Sequence, residues 1–295
     1  MKRDFLTGEE LGAFELGELL ASAAALKEGR REGAGRSSLA GRSIGLVFVR
    51  PSTRTRISFE VGVAELGATP IVLRGDELQL SRGESIADTG RVLSRYLDAI
   101  VIRSGSHDDV AGLAAEAEVP VVNALTPLHH PCQALADLLT LRERFGELDG
   151  LRLAYVGDGN NVARSLAIAC ELTGVELVVA APSGYQLEEG HGVVLTDDPR
   201  AAADSADAIY TDVWVSMGDE ANADQRRADL APYKVDADLL SVAKGSAVVL
   251  HCLPAHPGEE IDAGVLYGER SAVWDQAENR LHAQKALLVE LLAGG

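Results

Sequence analysis

The sequence predicts an α/β protein of two domains, each a parallel sheet flanked by helices, joined by interdomain helices. Short apolar runs alternate with amphipathic segments along the chain, as expected for strands connected by crossover helices. This alternation stops near Gly150 and then begins again. The 295 residues, 46% of them hydrophobic, also exceed what one core usually supports. Together these observations favour two sheets over one.

In the first half, Thr7 and Glu10 form a capping box that predicts a first helix ending at Leu26. The apolar run 44–49 predicts a buried strand, followed by a helix over 53–66 that Gly67 ends. The remaining elements alternate in the same way. Strands are predicted at 71–73, 99–103 and 119–123, with helices at 85–97 and after Ser106.

In the second half, a helix over 132–145 leads from the first domain into a new alternating series. Strands are predicted at 153–156, 177–181, 208–212 and 248–251, and helices at 162–172 and near Ala201 and Leu239. The polar run 219–229 is predicted to be a solvated loop able to act as a lid. The last helix is predicted over 277–292. Polar residues follow several strand ends, where open α/β sheets bind ligands.

The most informative of these strand ends is Ser52-Thr53-Arg54-Thr55-Arg56. The first turn of a helix has backbone N–H groups without an internal partner and the positive end of the macrodipole. Hydroxyl groups and guanidinium forks beside it match the oxygens of a phosphate. We therefore predict a phosphate or carboxylate site, rather than a helix with a solvated basic face.

A second strand end, Gly157-Asp158-Gly159-Asn160-Asn161, resembles a dinucleotide fingerprint. However, Val162 replaces the third glycine, and no acidic residue follows the next strand to bind a ribose. We interpret the glycines as a tight turn and expect either Asn160 or Asn161 to contact a zwitterionic substrate. An NAD-dependent oxidoreductase is the alternative from another functional class.

Three further groups of polar residues lie at predicted strand ends. Arg103, His130 and Gln133 form a cluster suited to polarise a carbonyl oxygen. Asp212 is placed to bind an amine, and Cys252 ends the last strand, where a cysteine usually packs in the core. The three cysteines have no CxxC spacing, so neither a disulfide framework nor a zinc knuckle is predicted.

The composition limits the possible partners. A net charge of −18 repels nucleic acid and anionic membranes, and no apolar run approaches the roughly 20 residues of a membrane span. With no signal-peptide core at the N-terminus, we expect a cytoplasmic protein. Only five of the 27 basic residues are lysine. This acid-rich, lysine-poor composition suggests a halophilic protein.

Five motifs together resemble the ornithine carbamoyltransferases. They are the 52–56 segment, Gln79-Leu80-Ser81-Arg82-Gly83-Glu84-Ser85, His130-Pro131-Cys132-Gln133, Asp212-Val213-Trp214-Val215-Ser216-Met217-Gly218 and His251-Cys252-Leu253-Pro254. The first and third are similar to aspartate and ornithine carbamoyltransferases in general. The Ser-Met-Gly and His-Cys-Leu-Pro segments resemble the ornithine type, since the aspartate enzymes have Pro in place of the Cys.

The resemblance implies a carbamoyl-phosphate domain over 1–145, completed by a C-terminal helix 277–295, and an ornithine domain over 146–276. It also implies trimers, or assemblies of trimers, with active sites at subunit boundaries. The activity implied is transfer of a carbamoyl group from carbamoyl phosphate to the δ-amine of L-ornithine, giving citrulline and phosphate. No metal or organic cofactor is implied.

The resemblance also implies roles for individual residues. The phosphate would be held by Ser52, Thr53, Arg54 and Thr55, with Gln79 from a neighbouring subunit. The carbamoyl group would be held by Arg103, His130 and Gln133. Ornithine would be bound by Asn161, Asp212, Ser216 and Met217. Cys252 and Leu253 would line the junction of the two substrates, and Arg280 would return from the last helix.

The chain departs from the usual family pattern at four positions: Arg50, Ser81, Pro127 and Arg164. None of these changes removes a group that the chemistry needs. Two alternatives within the family remain. One is a carbamoyltransferase for another amine, such as putrescine or an acylated ornithine, against which the Ser-Met-Gly segment argues. The other is a catalytically silent homologue that binds carbamoyl phosphate.

Overall fold

The computed structural model describes residues 2–79, 83–216 and 220–292. The chain divides into two compact units. Unit 1 comprises Met1–Leu139 and Glu278–Gly295, and unit 2 comprises Thr140–Ala277. Each unit contains one parallel sheet with helices around it, so the predicted α/β fold class is confirmed.

Unit 1 contains a four-stranded sheet in the order β2-β1-β3-β4. Its strands are β1 (Ser43–Phe48), β2 (Thr69–Arg74), β3 (Ala99–Arg103) and β4 (Val121–Leu125). Its helices are α1 (Ala13–Glu28), α2 (Thr53–Glu65), α3 (Ile86–Leu93) and α4 (His107–Glu116). All five residues of β3 are buried. The register of β3 against β4 shifts between Ile102 and Arg103, and such an irregularity redirects the side chains at the end of a strand.

Unit 2 contains a five-stranded sheet in the order β7-β6-β5-β8-β9. Its strands are β5 (Arg152–Val156), β6 (Glu176–Ala180), β7 (Val194–Thr196), β8 (Ala208–Thr211) and β9 (Val248–His251). Its helices are α6 (Asn161–Thr173), α7 (Pro199–Ala203), α8 (Ala223–Leu230), α9 (Ala237–Val242) and α10 (Ala263–Leu266). The pairing is parallel throughout.

Two helices contain residues of both units. Helix α5 (Pro131–Phe145) begins in unit 1 and ends in unit 2, and α11 (Val273–Leu292) begins in unit 2 and continues in unit 1. The polar side chains at the start of α5, and those of α11 from Glu278 onward, therefore belong to unit 1. None of the helices in the described ranges combines the length and the apolar character needed to cross a bilayer.

Two predictions about local structure were wrong. The first helix begins at Ala13 rather than at the Thr7–Glu10 box, because the Glu10 carboxylate accepts hydrogen bonds from the backbone N–H groups of Leu6, Thr7 and Gly8 in a turn. Residues 223–229 of the polar run 219–229 form most of helix α8 rather than a loop. Its polarity reflects an exposed helix, which polar content alone does not distinguish from a loop.

Candidate active site

The first turn of α2 is open to an anion. Ser52 occupies the N-cap position in an extended conformation, but its hydroxyl does not cap the helix. Instead, the hydroxyl accepts a hydrogen bond from Arg103 Nη1 at 3.1 Å. Thr53 and Arg54 are exposed at the same turn. The N–H groups of this turn therefore lack the usual side-chain cap and face a guanidinium-rich environment, which suits a bound phosphate.

Arg280 of α11 connects two other predicted site residues. Its Nη1 donates to Gln133 Oε1 at 2.7 Å, and its Nη2 donates to Thr55 Oγ1 at 3.1 Å. All three side chains are buried. A buried guanidinium costs desolvation energy that a bound anion would offset, so this arrangement is typical of an anion site.

His130 is buried at the start of α5. Burial, together with the charges of Arg280, Arg103 and Arg54, lowers the pKa of His130 well below its ordinary value. The imidazole therefore stays neutral near pH 7. A neutral imidazole can donate one hydrogen bond to a carbonyl oxygen without adding a further cation to the cluster.

Two polar residues that support this cluster were missed in the sequence. Gln133 Nε2 donates to the buried Asp137 at 2.8 Å. The Gln284 amide, in the orientation that satisfies both of its ends, accepts from Arg280 Nε and Nη2 at 3.2 and 3.1 Å and donates to Ser58 Oγ. Each supporting residue lies four positions after the residue it holds, on the same helix. That i,i+4 spacing is the signal that could have identified them.

Among the residues predicted to hold the phosphate, Gln79 is the one that does not belong to the first turn of α2. Its side chain is exposed and makes no hydrogen bond to another described residue, whereas its backbone carbonyl accepts from the Glu84 N–H at 3.2 Å. It directly precedes residues 80–82, which lie outside the described ranges. Ser81, which departs from the family pattern, is one of these residues. Two other residues that depart from the family pattern are described. Pro127 is exposed, and Arg164 forms an ion pair with Glu188 at 3.0 Å.

In unit 2, the predicted amine-binding residue Asp212 is buried at the end of β8. Its Oδ1 accepts from Cys252 Sγ at 2.9 Å and from the Val213 N–H at 2.8 Å. Its Oδ2 accepts from Asn160 Nδ2 at 2.7 Å. The carboxylate is therefore held in one orientation by three donors, which suits a group that must present a fixed acceptor to a substrate amine.

The two neighbouring asparagines, Asn160 and Asn161, differ in their places at the start of α6. Asn160 is the N-cap of α6, where its Oδ1 accepts from the Val162 and Ala163 N–H groups, and its amide nitrogen binds Asp212. Asn161 is the first residue of α6 and is half-buried, as is Ser216. The predicted ornithine contact Met217 lies outside the described residues. Asn160 thus positions Asp212, a role that the sequence did not indicate.

The Cys252–Leu253 turn is held by His251. The imidazole Nδ1 accepts from the Leu253 N–H at 2.9 Å, and Nε2 lies 3.1 Å from the buried Glu260 carboxylate. Although burial raises the pKa of Glu260, hydrogen bonds from His251 and the His256 N–H bring it below its ordinary value. Leu253 has a φ of 59°, a conformation that a non-glycine residue adopts at a cost of about 1 kcal/mol or more.

The geometry of the 157–161 turn argues against a dinucleotide site. A Cβ added at Gly159 would lie 2.5 Å from the Leu187 nitrogen, so this glycine allows close packing of the protein backbone on itself. Asp158 forms an ion pair with Arg226, whose Nε also donates to the Trp214 carbonyl at 2.6 Å. Both features are explained by the internal structure of unit 2.

Within the described residues, two sets of three side chains lie close enough together to hold a metal ion. They are Asp212, His251 and Cys252, and His256, Glu259 and Glu260. In both sets the donor atoms already have protein partners: Cys252 donates to Asp212, and Arg227 binds Glu259. The three cysteines are free thiols. Burial raises the pKa of Cys132 to about 12, so that thiol is inert.

Family models match both halves of the chain. Residues 3–143 match the carbamoyl-P binding domain of aspartate/ornithine carbamoyltransferase, and residues 149–291 match its Asp/Orn binding domain. An ornithine carbamoyltransferase from Acidothermus cellulolyticus is 54% identical over 310 residues, covering 100% of this chain and 99% of that protein. One from Methanoculleus marisnigri is 50% identical over 304 residues, with 100% and 98% coverage.

Solved structures agree with these matches. The ornithine carbamoyltransferase from Pyrococcus furiosus superimposes with a TM-score of 0.95 at 47% identity, covering 100% of this chain and 98% of that one. The enzyme from Thermus thermophilus gives 0.92 at 42% identity, with 99% coverage of both chains. The chain therefore belongs to the aspartate/ornithine carbamoyltransferase family.

Proposed function

We propose that this protein is an ornithine carbamoyltransferase, which transfers the carbamoyl group of carbamoyl phosphate to the δ-amine of L-ornithine. The products are L-citrulline and phosphate. The observation that carries the proposal is the buried arginine cluster at the open end of α2, where Arg103 and Arg280 contact Ser52, Thr55 and Gln133. The near-complete coverage by relatives named ornithine carbamoyltransferase supports ornithine as the acceptor.

In this proposal, residues 1–145 with the C-terminal helix 277–295 bind carbamoyl phosphate. The phosphate oxygens accept hydrogen bonds from the first turn of α2 and from the side chains of Ser52, Thr53, Arg54 and Thr55. Gln79 adds a contact to the site of a neighbouring subunit in a trimer. The Gln79 side chain is exposed and makes no hydrogen bond to the described residues, which is compatible with such a role.

Residues 146–276 bind ornithine in this proposal. Asp212 accepts a hydrogen bond from the substrate amine, while Asn161, Ser216 and Met217 contact its other polar groups. Cys252 and Leu253 line the position where the two substrates meet. The Asp212 carboxylate is held by Asn160 and Cys252, and this fixed orientation supports the assignment.

The reaction proceeds by direct attack, without a covalent enzyme intermediate. The neutral δ-amine attacks the carbamoyl carbon, and negative charge develops on the carbonyl oxygen. Arg103, neutral His130 and Gln133 stabilise that charge by hydrogen bonds. Arg280 fixes Gln133 through its 2.7 Å hydrogen bond. The departing phosphate, held by the arginines, takes the remaining proton.

Assays with alternative acceptors test the proposal. With carbamoyl phosphate in excess, we expect kcat/KM for ornithine to exceed that for putrescine, acetylornithine and aspartate by at least about a hundredfold, because buried polar groups left unpaired penalise an incomplete substrate. Comparable values for putrescine or acetylornithine would assign the protein to a sister activity. No turnover with any acceptor, despite binding of carbamoyl phosphate, would indicate a silent homologue.

The assembly and the cellular location of the enzyme are part of the same proposal. We infer a cytoplasmic homotrimer, or an assembly of trimers, from the resemblance of its motifs to the family. Sedimentation of the purified protein tests the trimer directly. A monomer that turns over ornithine at the full rate would contradict the role given to Gln79.

A further inference from the structure

Unit 1 contains a second basic cavity, separate from the arginine cluster described above. It has a volume of about 460 Å³, within the range of small-molecule sites. The segment 27–36, the C-terminal end of α2 and helix α11 form its walls. Five basic side chains line it: Lys27, Arg30, Arg31, Arg36 and Lys285.

This cavity is distant from the open end of α2. Helix α2 has 13 residues, from Thr53 to Glu65, and at 1.5 Å per residue its two ends are about 20 Å apart. The carbamoyl-phosphate residues lie at its first turn, whereas the cavity includes Glu65 at its last turn. One small ligand therefore cannot occupy both places.

The basic groups outnumber the acidic ones here, although the chain carries a net charge of −18. The acidic lining residues are Glu28, Glu65 and Glu278. Glu65 is already shared between two cations: Arg30 donates to its Oε1 at 2.8 and 2.9 Å, and Lys285 donates to its Oε2 at 2.9 Å. The carboxylates therefore leave a local positive excess uncompensated.

Two of the arginines have no structural role that explains their position. Arg31 and Arg36 form no ion pair or hydrogen bond with another described residue through their side chains. Lys27, by contrast, lies in the last turn of α1, where a cation offsets the macrodipole, and donates to Asn279 Oδ1 at 2.8 Å. Arg31 and Arg36 follow that helix and present two guanidinium forks to the cavity.

A buried histidine on α11 lies behind the wall of the cavity and can report on its occupancy. His282 is fully buried on α11, and neither ring nitrogen has a hydrogen-bond partner among the described residues. Its Nε2 lies 3.8 Å from the carboxylate of Glu278, which lines the cavity. Burial and the charges of Lys285, Lys27 and Arg30 lower the pKa of His282 to about 4. His282 is not itself a lining residue, so a ligand in the cavity would act on it through the neighbouring charges rather than by direct contact.

We propose that this cavity binds a small anion carrying more than one phosphate group, at a site distinct from the substrate site. Arg31 and Arg36 hold it by charge-assisted, forked hydrogen bonds of the kind that phosphate favours. Lys27 and Lys285 supply further positive charge, and His282 lies behind them. Helix α2 has the proposed substrate residues at its first turn and Glu65, a lining residue of the cavity, at its last.

Pyrophosphate is the probe for the test. Calorimetry is carried out in the Arg54→Ala background, which weakens the substrate site, and then with Arg31→Ala and Arg36→Ala added. We expect one binding event per chain to persist in Arg54→Ala and to weaken at least tenfold in the triple variant. Loss of all binding in Arg54→Ala alone, or an unchanged event in the triple variant, would overturn the proposal.

A matched control removes two arginines from elsewhere on unit 1. Arg91→Ala with Arg95→Ala eliminates the same charge from exposed positions paired with Glu116 and Glu118. We expect pyrophosphate affinity to change less than threefold in this control. An equal loss of pyrophosphate affinity in the control would show that the affinity depends on net charge alone, and would refute the site. The imidazole resonances of His282 provide a local readout, since they should shift with pyrophosphate in Arg54→Ala and not in the triple variant.

Discussion

Arg54 differs from the other arginines of the proposed phosphate site because its side chain is exposed, whereas Arg103 and Arg280 are buried and already contact site residues. Its contribution to stability is therefore small, and its contribution to ligand binding is expected to be large. Arg56, two positions later, is also exposed but pairs with Glu60 at 3.2 Å on the helix surface. The two residues form a natural comparison.

We predict that Arg54→Ala lowers kcat/KM for carbamoyl phosphate by about a hundredfold or more, through both kcat and KM. A charge-assisted contact contributes roughly 1.5–3 kcal/mol to binding, and more where charge develops in the transition state. Steady-state kinetics measure the change. Arg56→Ala is the control and should retain activity within about threefold. Equal effects of both substitutions would argue against a specific contact from Arg54.

Cys252 contributes a hydrogen bond to Asp212 rather than a nucleophile in the proposed mechanism. Cys252→Ser keeps a donor at this position, so kcat/KM for ornithine should fall by less than about tenfold. Asp212→Asn removes the carboxylate that receives the amine and should cost at least about a hundredfold. These constants are measured at fixed, saturating carbamoyl phosphate. Complete loss of activity in Cys252→Ser would contradict a role limited to this hydrogen bond.

His282 makes unit 1 sensitive to acid. Its pKa is about 4 in the folded protein, because of burial and then the charges of Lys285, Lys27 and Arg30, against about 6.5 in an unfolded chain. Below pH 6.5 the unfolded chain binds a proton that the folded protein does not, so stability falls as the pH drops towards 4. Glu65, which faces the same region, opposes this effect only weakly.

We therefore predict that His282→Leu reduces the loss of stability between pH 6.5 and 4 by as much as roughly 3 kcal/mol, at about 1.4 kcal/mol per pKa unit. Urea unfolding at several pH values measures the difference. His191→Gln, which replaces a half-buried histidine of unit 2 paired with Glu171, is the control for removing a histidine elsewhere. If the free energy of unfolding of His282→Leu fell with pH in parallel with that of the unsubstituted protein, the lowered pKa of His282 would be contradicted.

At the scale of single residues, the sequence predicted most of the groups that the structure brings together in unit 1. Ser52, Thr55, Arg103 and Gln133 were recognised because polar side chains follow strand ends, and Arg280 was recognised from the resemblance to the family. Asp137 and Gln284 were not, because an i,i+4 pair of polar residues is common on exposed helices. Only burial distinguishes a supporting hydrogen bond from a solvated one.

At the scale of elements, the central strands were predictable because both of their faces are buried. β3 was predicted with its exact bounds, as a run of apolar residues that ends at Arg103. The short edge strand β7 was missed, since its three residues carry little hydrophobic signal and are exposed or half-buried. Helix α8 was missed for a related reason: Leu230 is its only buried residue.

Gln79 is proposed to contact the site of a neighbouring subunit, and this role can be tested by mixing variants. If Gln79 acts in the site of a neighbouring subunit, Gln79→Ala and Arg54→Ala impair different contributions to one shared site. Mixing the two nearly inactive proteins and allowing subunits to exchange should restore some activity, because a hybrid trimer contains a site with neither defect. Activity is compared with each variant refolded alone. Hybrids that form without regaining activity would indicate that each site lies within one chain.

At the scale of the whole molecule, surface charge is the feature that fold and site leave unexplained. Acidic residues number 45 against 27 lysines and arginines. The cations that are present tend to be used locally, in surface pairs such as Arg42–Asp98, Arg95–Glu118 and Arg152–Glu176. Exposed pairs of this kind contribute about 0–1 kcal/mol each, so they do not offset repulsion across the surface.

This repulsion leads to a prediction about salt. The Debye length is about 30 Å at 0.01 M salt, comparable to a domain, and about 3 Å at 1 M. Surface carboxylates therefore repel one another across each subunit and each proposed trimer contact in dilute buffer, whereas molar salt screens them. The same salt weakens the attraction of carbamoyl phosphate to the arginine cluster. Because Arg103 and Arg280 are buried, screening acts on them less than on the surface, and stability should dominate.

We predict a halophilic enzyme that dissociates or loses activity at about 0.01 M salt and recovers in molar KCl or NaCl. Sedimentation and citrulline formation measured across the same salt series test this, with carbamoyl phosphate kept saturating so that weaker binding does not mask the effect. Replacing exposed, unpaired acidic residues by their amides should shift the midpoint of the series to lower salt, because fewer charges then need screening. The prediction is wrong if the oligomer is intact and fully active in dilute buffer and gains no activity in molar salt. The protein would then be acidic but not halophilic.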